Sequence, residues 1–185
     1  ASEALSSQEN LNEFKSWLTE TDVYVFTMNG FPYGGFHNTV VKDNVHAPDW
    51  QTKDRLQYTL RLAHILAQLL PDGMEGGIST SPLSYRYWFE DAAKESEAKT
   101  KATENILNAA AALYDLKKKT GKLIHLDIEP EPDGLLENGA EFLDWYNHTF
   151  LSAGINYFKK HLDFSAAASE SIIKEHVQLC YDVCH

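Results

Sequence analysis

The chain has 185 residues, of which 43% are hydrophobic and 23% charged, a composition typical of a globular domain with a sizeable core. Its formal net charge of -11 disfavours binding to nucleic acid, because the average field of the protein repels a polyanion. No apolar run approaches the ~20 residues that span a bilayer, and no signal peptide is recognisable, so we expect a cytoplasmic protein without membrane insertion.

The first part of the chain alternates helical and extended patterns. Residues 7 to 20 place apolar side chains on one helical face, and the apolar run from 23 to 28 predicts a buried parallel strand. A segment from about 29 to 51, which contains Pro and Gly, predicts a long functional loop. Thr52 is the predicted cap of a strong helix that extends to about Leu70.

The rest of the chain continues this alternation of strand-length and helix-length segments. The clearest strand, residues 122 to 129, alternates polar and apolar side chains. Its polar members His125, Asp127 and Glu129 are expected to point together into the interior of the fold, where buried polar groups need partners. The other predicted elements are strands at 75 to 80 and 177 to 183, and helices over about 90 to 119, 138 to 158 and 165 to 174.

Strands separated by helix-length segments predict βαβ units and a parallel sheet. Four such units are about half of an eight-stranded β/α barrel, which has ~250 residues. The chain starts at Ala1 and stops on a motif, so we expect residues 1–185 to form a single, partial TIM barrel domain, an incomplete fragment of about four βα units. A doubly wound open sheet is the alternative, but no GxGxxG follows the first predicted strand to support a dinucleotide-binding version.

Acidic and imidazole side chains lie at the ends of two predicted strands. Glu129 ends the clearest strand, and Asp182 and His185 lie at the end of the last one. Since ligands of α/β folds bind beyond the carboxyl ends of the strands, these side chains can meet in space. Their oxygen and nitrogen donors suit Mn²⁺, Zn²⁺, Fe²⁺ or Co²⁺ better than Ca²⁺. The same spacing also fits a strand end with a solvated Asp and a capping His.

Several other polar residues are candidate substrate contacts. His37 and His46 lie in the long loop after the first predicted strand, and Asn29 and Ser79 end strands. Glu131 lies in the loop after the clearest strand and is a candidate substrate carboxylate. The alternatives are surface histidines, turn formation or helix capping by the Asn and Ser, and an exposed loop acid.

The two cysteines, Cys180 and Cys184, are too few for a disulfide-rich secreted scaffold. If both lie on one strand, their Cα atoms are roughly 13 Å apart, too far for a disulfide. We expect two small core residues that stay reduced.

Two motifs near the end of the chain resemble a known superfamily. The segment HLDIEPEPDG, followed by LCYDVCH, resembles the xylose-isomerase-like barrels, which include sugar isomerases, epimerases and DNA-repair enzymes of the endonuclease IV type. Members commonly carry a metal-binding Glu in an L-x-x-E-P motif and a D-x-x-H motif on the next strand. The upstream segments VYVFTMNGFPYGGFH, APDWQTKDRLQYTLRLAHILAQLLP and GGISTSPLSY resemble the EboE family of metabolite traffic proteins in that superfamily. This resemblance extends from about Leu11 to His185.

The resemblance implies specific roles for the strand-end residues. Glu129 matches the metal-ligand Glu, which would also be the catalytic carboxylate, and Asp182 matches the ligand Asp. His185 matches a residue that binds metal in the endonucleases and contacts substrate in the epimerases, so both roles remain open. The implied cofactor is a divalent metal (Mn, Zn, Mg, Fe or Co). Family members are longer at both ends, and further ligands are expected on strands outside this sequence.

Three functions follow as hypotheses. The first is a sugar-isomerase or epimerase-like protein that binds a small polar metabolite or sugar-like substrate at the metal; as an enzyme, it would polarise a carbonyl with the metal and move a proton with a carboxylate. The second is a non-catalytic carrier or assembly component in metabolite export, with proteins of that pathway as partners. The third is an endonuclease IV-like, metal-dependent phosphodiesterase, which the net charge disfavours.

Overall fold

The protein is represented by a computed structural model that describes residues 2–33 and 42–184. Four parallel strands form one sheet in the order β1-β2-β3-β4, and helical segments connect successive strands. The strands are β1 (Thr27–Asn29), β2 (Glu75–Thr80), β3 (Leu123–Ile128) and β4 (Val177–Leu179). The helices are α1 (Gln8–Glu20), α2 (Lys53–Leu69), α3 (Ala92–Thr120), α4 (Gly139–Trp145), α5 (Leu151–Leu162) and α6 (Ala166–His176). The predicted α/β class and parallel sheet are confirmed, whereas closure into a barrel stays a prediction.

Side-chain caps explain where four of the helices begin. Thr52, Asp91, Asn138 and Ser165 each accept a hydrogen bond from a backbone N–H in the first turn of the following helix. α3 ends at Gly121, whose φ of 74° is a left-handed conformation that glycine adopts without steric cost. These capping residues are local signals, and the predicted cap of α2 is confirmed.

The first strand is shorter and begins later than the sequence predicts. The buried strand expected at 23 to 28 is wrong: Val23, Tyr24 and Phe26 are 46%, 58% and 50% exposed, and the paired strand is Thr27–Asn29. Within the described residues, β1 is an edge strand that pairs with β2 alone. The apolar run therefore has a sheet neighbour on one side only. Val25 and Met28 are half-buried against the core, whereas Val23, Tyr24 and Phe26 stay exposed.

The helical region between β3 and β4 is longer than predicted. A π-helical turn, Tyr146–Phe150, joins α4 to α5, so the helical segment continues to Leu162. The hydroxyl of Tyr146 donates a hydrogen bond to the carbonyl of Val177 (2.9 Å) and thereby ties this turn to β4. None of the helices in the described part of the chain is both long enough and apolar enough to cross a membrane.

The last strand ends at Leu179, earlier than the sequence predicts. Cys180 still donates its backbone N–H to the carbonyl of Ile128 (2.9 Å). The carboxylate of Asp182 then accepts a hydrogen bond from the backbone N–H of Cys184 (2.8 Å). Such a local bond competes with strand pairing, so Asp182 lies in a turn beyond the strand.

One face of the sheet packs against helices α2, α3 and α6. Ile124, Leu126 and Ile128 of β3 point toward this layer and are at most 1% exposed. Complete burial of an aliphatic side chain stabilises a fold by about 1.5–3 kcal/mol relative to exposure. This apolar layer holds the strands in register and leaves the alternate side chains free for other roles.

The opposite face of the sheet carries polar side chains. The strand register places His125 beside Gly77 and Asp127 beside Ser79. We call this side of the sheet the open face, and it consists of the apolar Leu123 together with Thr27, Asn29, Glu75, Gly77, Ser79, His125, Asp127 and Gln178. Its outer members, Thr27, Asn29, Glu75 and Gln178, are exposed to solvent.

Candidate functional site

Backbone hydrogen bonds carry the sheet register past the last paired residues of β3 and β4. Glu129 donates its N–H to the carbonyl of Thr80, and Cys180 donates to the carbonyl of Ile128, both at 2.9 Å. The β3–β4 register therefore makes Glu129 and Cys180 neighbours at the carboxyl edge. Because side chains alternate along a strand, both point to the same side as the open face.

The Cys180 thiol is surrounded by negative charge. Burial, the charges of nearby carboxylates and a hydrogen bond to Glu129 raise the pKa of Cys180 to about 11. The contributing carboxylates are Glu129, Asp127 and Asp182. The thiol is thus protonated at neutral pH, and it serves as a hydrogen-bond donor rather than as a nucleophile. The sequence predicted two small core residues, which is wrong: Cys180 is half-buried and Cys184 is exposed. The position of Cys180 two residues before Asp182 was the available signal.

The loop after β3 borders two cavities, with alternate residues in each. One cavity, of about 170 Å³, is lined by Asn29, Phe31, Pro32, Val45, Glu129 and Glu131. The other, of about 260 Å³, has Pro130, Pro132, Cys180 and Asp182 in its lining. The structure therefore brings Glu129 together with the predicted contacts Asn29 and Glu131. Asp182 and Cys180 border the second cavity, and Cys180 is the register neighbour of Glu129.

Ser79 and Asn29 lie side by side at the ends of β2 and β1. The side-chain carbonyl of Asn29 accepts hydrogen bonds from the hydroxyl of Ser79 (3.3 Å) and from the backbone N–H of Phe31 (3.0 Å). The second of these bonds forms the turn that follows β1. Asn29 also lines the smaller cavity, where its amide group is a candidate ligand contact.

His46 is 3% exposed and lines neither cavity. Its ring centroid is 5.3 Å from those of Phe31 and Tyr85 and 6.4 Å from that of Trp88. Burial and the charge of Arg55 lower the pKa of His46 to about 4, so the ring is neutral at pH 7. The structure thus places this imidazole in an aromatic cluster next to Phe31, and contact with a substrate stays a prediction.

Arg55 is a fully buried cation beneath the loops of the carboxyl edge. Its Nε donates to the carbonyl of Pro48 (2.7 Å), and its Nη1 donates to the carbonyls of Gly30 (2.7 Å) and Phe31 (2.8 Å). Burial lowers the pKa of Arg55 to about 10, so the side chain remains protonated at neutral pH. One buried side chain therefore joins α2 to the segment after β1 that lines the smaller cavity.

The described residues supply two of the three predicted metal ligands. Glu129 and Asp182 are two of the carboxylates whose charges raise the pKa of the Cys180 thiol, whereas His185 lies outside the described residues, as does His37. Within residues 2–33 and 42–184, no group of three or more His, Cys, Asp or Glu side chains is arranged to hold a metal ion. Carboxylate oxygens are suitable donors for Mg²⁺ or Mn²⁺, but this pair needs further ligands to complete a coordination shell.

A comparison of the chain with protein-family models, with curated proteins and with solved structures finds no match. The functional interpretation therefore depends on the carboxyl edge and on the chemistry of its side chains.

Proposed function

We propose that the chain is part of a xylose-isomerase-like barrel of the EboE type and binds a small polar metabolite at a divalent metal. Glu129 and Asp182 would hold the metal, and His185 would be a third ligand or a substrate contact. The observation that carries the proposal is the β3–β4 register, which makes Glu129 and Cys180 neighbours at the carboxyl edge, two residues before Asp182. The parallel sheet supports it, because α/β folds bind ligands at the carboxyl ends of their strands.

The surrounding residues suit a small polar ligand. A cavity of about 170 Å³ is below the usual ~300–1,000 Å³ of drug-sized sites, so it admits a small metabolite. Asn29 can donate a hydrogen bond to a ligand hydroxyl or carbonyl, and Glu131 can accept one. When bound, a divalent metal supplies positive charge that stabilises negative charge developing on a carbonyl oxygen. In an isomerase, Glu129 would move the proton.

Titration of the full chain with Mn²⁺, followed by the electron paramagnetic resonance signal of the free ion, tests the proposal. The wild-type chain is expected to bind Mn²⁺, and Glu129→Gln and Asp182→Asn should each weaken binding at least tenfold, about the effect of losing a supporting ligand contact. Asp144→Asn is the matched control, because its carboxylate is 79% exposed and far along the chain from the carboxyl edge. Circular dichroism checks that each variant is folded.

Folded Glu129→Gln and Asp182→Asn chains with wild-type affinity would contradict the metal assignment, as would a wild-type chain that binds no Mn²⁺. His185→Ala separates the two roles left open for that residue. Weaker binding would make it a ligand, and retained binding would make it a substrate contact. Turnover of pentoses and hexoses by the metal-loaded chain would establish an isomerase or epimerase, whereas metabolite binding without turnover would indicate a carrier.

A further inference from the structure

The middle of the open face carries a hydrogen-bonded pair that the metal proposal does not use. His125 and Asp127 are alternate residues of β3, so both point away from the helices. The ring Nδ1 of His125 lies 2.6 Å from Oδ1 of Asp127. Their side chains are 19% and 16% exposed, which leaves the pair sheltered but within reach of solvent. His125 and Asp127 therefore supply each other with the hydrogen-bond partner that a sheltered polar group needs.

The neighbouring strand leaves room for this pair. Gly77 is the register partner of His125 on β2. A Cβ atom at position 77 would overlap Oδ2 of Asp127 and lie 2.9 Å from Cε1 of His125. Glycine inside a strand costs about 0.5–1 kcal/mol relative to alanine. The sequence therefore gives up strand stability at this point and keeps the space in which the pair lies.

The hydrogen bond determines which ring nitrogen is free. An ionised carboxylate only accepts hydrogen bonds, so Nδ1 of His125 donates to Asp127. The lone pair of the neutral ring is then on Nε2, for which the described part of the chain contains no hydrogen-bond partner. Nε2 is also not among the buried polar atoms that lack a partner, so it is accessible. An imidazole held in this way is a base with a defined direction.

The charges around His125 favour its protonated form. The hydrogen bond to Asp127 raises the pKa of His125, burial lowers it, and the charges of Asp127 and of Glu75 on β2 raise it further. His176 on α6 is the other titratable group within electrostatic reach. The balance keeps the pKa of His125 above its ordinary value, so the protonated ring is favoured more strongly than in a free histidine.

We propose that His125 and Asp127 form a proton-exchanging dyad on the open face. Nε2 of His125 accepts a proton from a hydroxyl group of a small polar molecule on the open face; the O–H bond breaks, the oxygen keeps the electron pair, and Asp127 stabilises the imidazolium. The proton returns by the reverse step. Asp127 is a positioning residue, because it acts on the ligand through the ring. The dyad needs no metal, and its hydroxyl-bearing ligand lies on the open face rather than in the cavity beside Glu129.

Nitrogen NMR of the full chain tests the state of the ring. Long-range ¹H–¹⁵N spectra are expected to show neutral His125 protonated at Nδ1, and Asp127→Asn should shift the pKa of His125 downward. The matched control is Asp144→Asn, which removes the carboxylate of an exposed His–Asp pair whose Nδ1 and Oδ1 are 3.1 Å apart. That control should leave the titration of His125 unchanged. A neutral ring protonated at Nε2, or the same pKa in Asp127→Asn as in wild type, would overturn the dyad.

Acylation by diethyl pyrocarbonate tests whether Nε2 is an accessible base. The reagent modifies unprotonated ring nitrogens, and peptide mapping identifies the modified residue. His125 is expected to be modified at about neutral pH, in parallel with the exposed His148, and the signal of that peptide should be lost in His125→Gln. Modification of His148 without modification of His125 would refute an accessible base.

The outcomes for the dyad and for the metal are independent. A wild-type chain that binds no Mn²⁺ but keeps His125 protonated at Nδ1 and reactive at Nε2 would reject the proposed function and leave the dyad in place. The dyad alone would be rejected if metal binding depended on Glu129 but the neutral ring of His125 carried its proton on Nε2 or did not react. Gly77→Ala provides a second variant, because the added methyl group should displace the pair and shift the pKa of His125 downward.

Discussion

Arg55 and His46 are two buried polar side chains that hold the carboxyl edge together. Within the described residues, the hydrogen bonds of Arg55 go to backbone carbonyls, so it satisfies loop acceptors that would otherwise be buried without donors. His46 fills an aromatic cluster beside the same loops. Neither role is visible in the local sequence pattern, because an Arg in the first turn of a helix and a His in a long loop are usually exposed.

Arg55→Met is expected to lower the free energy of unfolding by about 3 kcal/mol, because the buried carbonyls of Gly30 and Phe31 lose their donor and each such loss costs about 1–3 kcal/mol. Arg61→Met is the matched control on the same helix. The ion pair of Arg61 with Glu3 spans 3.9 Å, and Glu3 is 89% exposed, so this variant should change stability by less than about 1 kcal/mol. Urea denaturation measures both. Equal stabilities of the two variants would contradict the role of Arg55.

Acid is expected to destabilise the chain through His46. Its pKa is about 4 in the folded state and near 6.5 in the unfolded state, so the unfolded chain binds the proton first as the pH falls. The contribution of His46 to stability is therefore complete above about pH 6.5 and is lost as the pH falls toward 4, in total about 3 kcal/mol. His46→Phe keeps an aromatic ring in the cluster and should lose less stability than wild type between about pH 7 and about pH 4.5.

Urea denaturation at the two pH values measures this difference. His148→Phe is the control, because the side chain of His148 is 76% exposed, and its loss of stability on acidification should match that of wild type. If His46→Phe and the wild-type chain lost the same free energy of unfolding, His46 would not be the group responsible.

At the scale of whole elements, the helix layer depends on two close contacts of the segment from α4 to α5. Tyr146, in the π-helical turn, donates its hydroxyl to a carbonyl of β4. Gly154, in α5, is buried where that helix meets α6 and α3. The apolar periodicity predicted a helix in this region but not the π-helical turn, because the turn depends on a carbonyl that lies 31 residues away in sequence.

Gly154→Ala should destabilise the chain by about 1–2 kcal/mol, although alanine favours a helix by about 1 kcal/mol. The added Cβ would overlap Cδ1 of Ile173 and lie 2.9 Å from Cδ2 of Leu107. Ile173→Val removes that Cδ1, so the cost of Gly154→Ala should be smaller in an Ile173→Val chain. Gly139→Ala is the control, since no atom lies within 4 Å of a Cβ built at the start of α4. Thermal and urea denaturation measure the stability of each variant. A Gly154→Ala chain as stable as wild type would contradict the close contact.

For the whole molecule, the excess of acidic residues limits the possible partners. The chain has 27 Asp and Glu against 16 Lys and Arg. Its open face contains two acids, Glu75 and Asp127, and His125 is its one basic side chain. Several of the lysines are paired with acids on helices, such as Lys117 with Glu175 at 2.5 Å. A polyanion therefore meets negative charge at the face where the proposed ligand binds.

The chain is expected not to bind duplex DNA at about 0.15 M salt, where non-specific DNA-binding proteins have dissociation constants of roughly 10⁻⁴ to 10⁻⁶ M. Fluorescence anisotropy of a labelled duplex, with and without Mn²⁺, measures binding, and a lysine homopolymer serves as the positive control. A binding constant whose logarithm falls linearly with the logarithm of salt concentration would favour the endonuclease-like alternative over a metabolite site.

The sequence by itself determined the kinds and the order of the elements. Helix caps such as Thr52 and Asp91, the terminating Gly121 and the alternation along β3 are signals within a few residues, so they can be recognised without the rest of the chain. The same alternation correctly placed His125 and Asp127 on one side of the strand. The predicted bounds of β1 were less accurate, because the pairing of this strand depends on where the edge of the sheet lies.

Only the tertiary structure decided which polar groups meet. Glu129 and Cys180 are neighbours because the β3–β4 register carries them to the same edge, although about fifty residues separate them in the chain. The space for the His125–Asp127 pair comes from Gly77, on a different strand. Arg55 is buried where the carbonyls of Gly30, Phe31 and Pro48 accept its hydrogen bonds. Such contacts depend on packing between distant segments, and a local pattern contains no information about them.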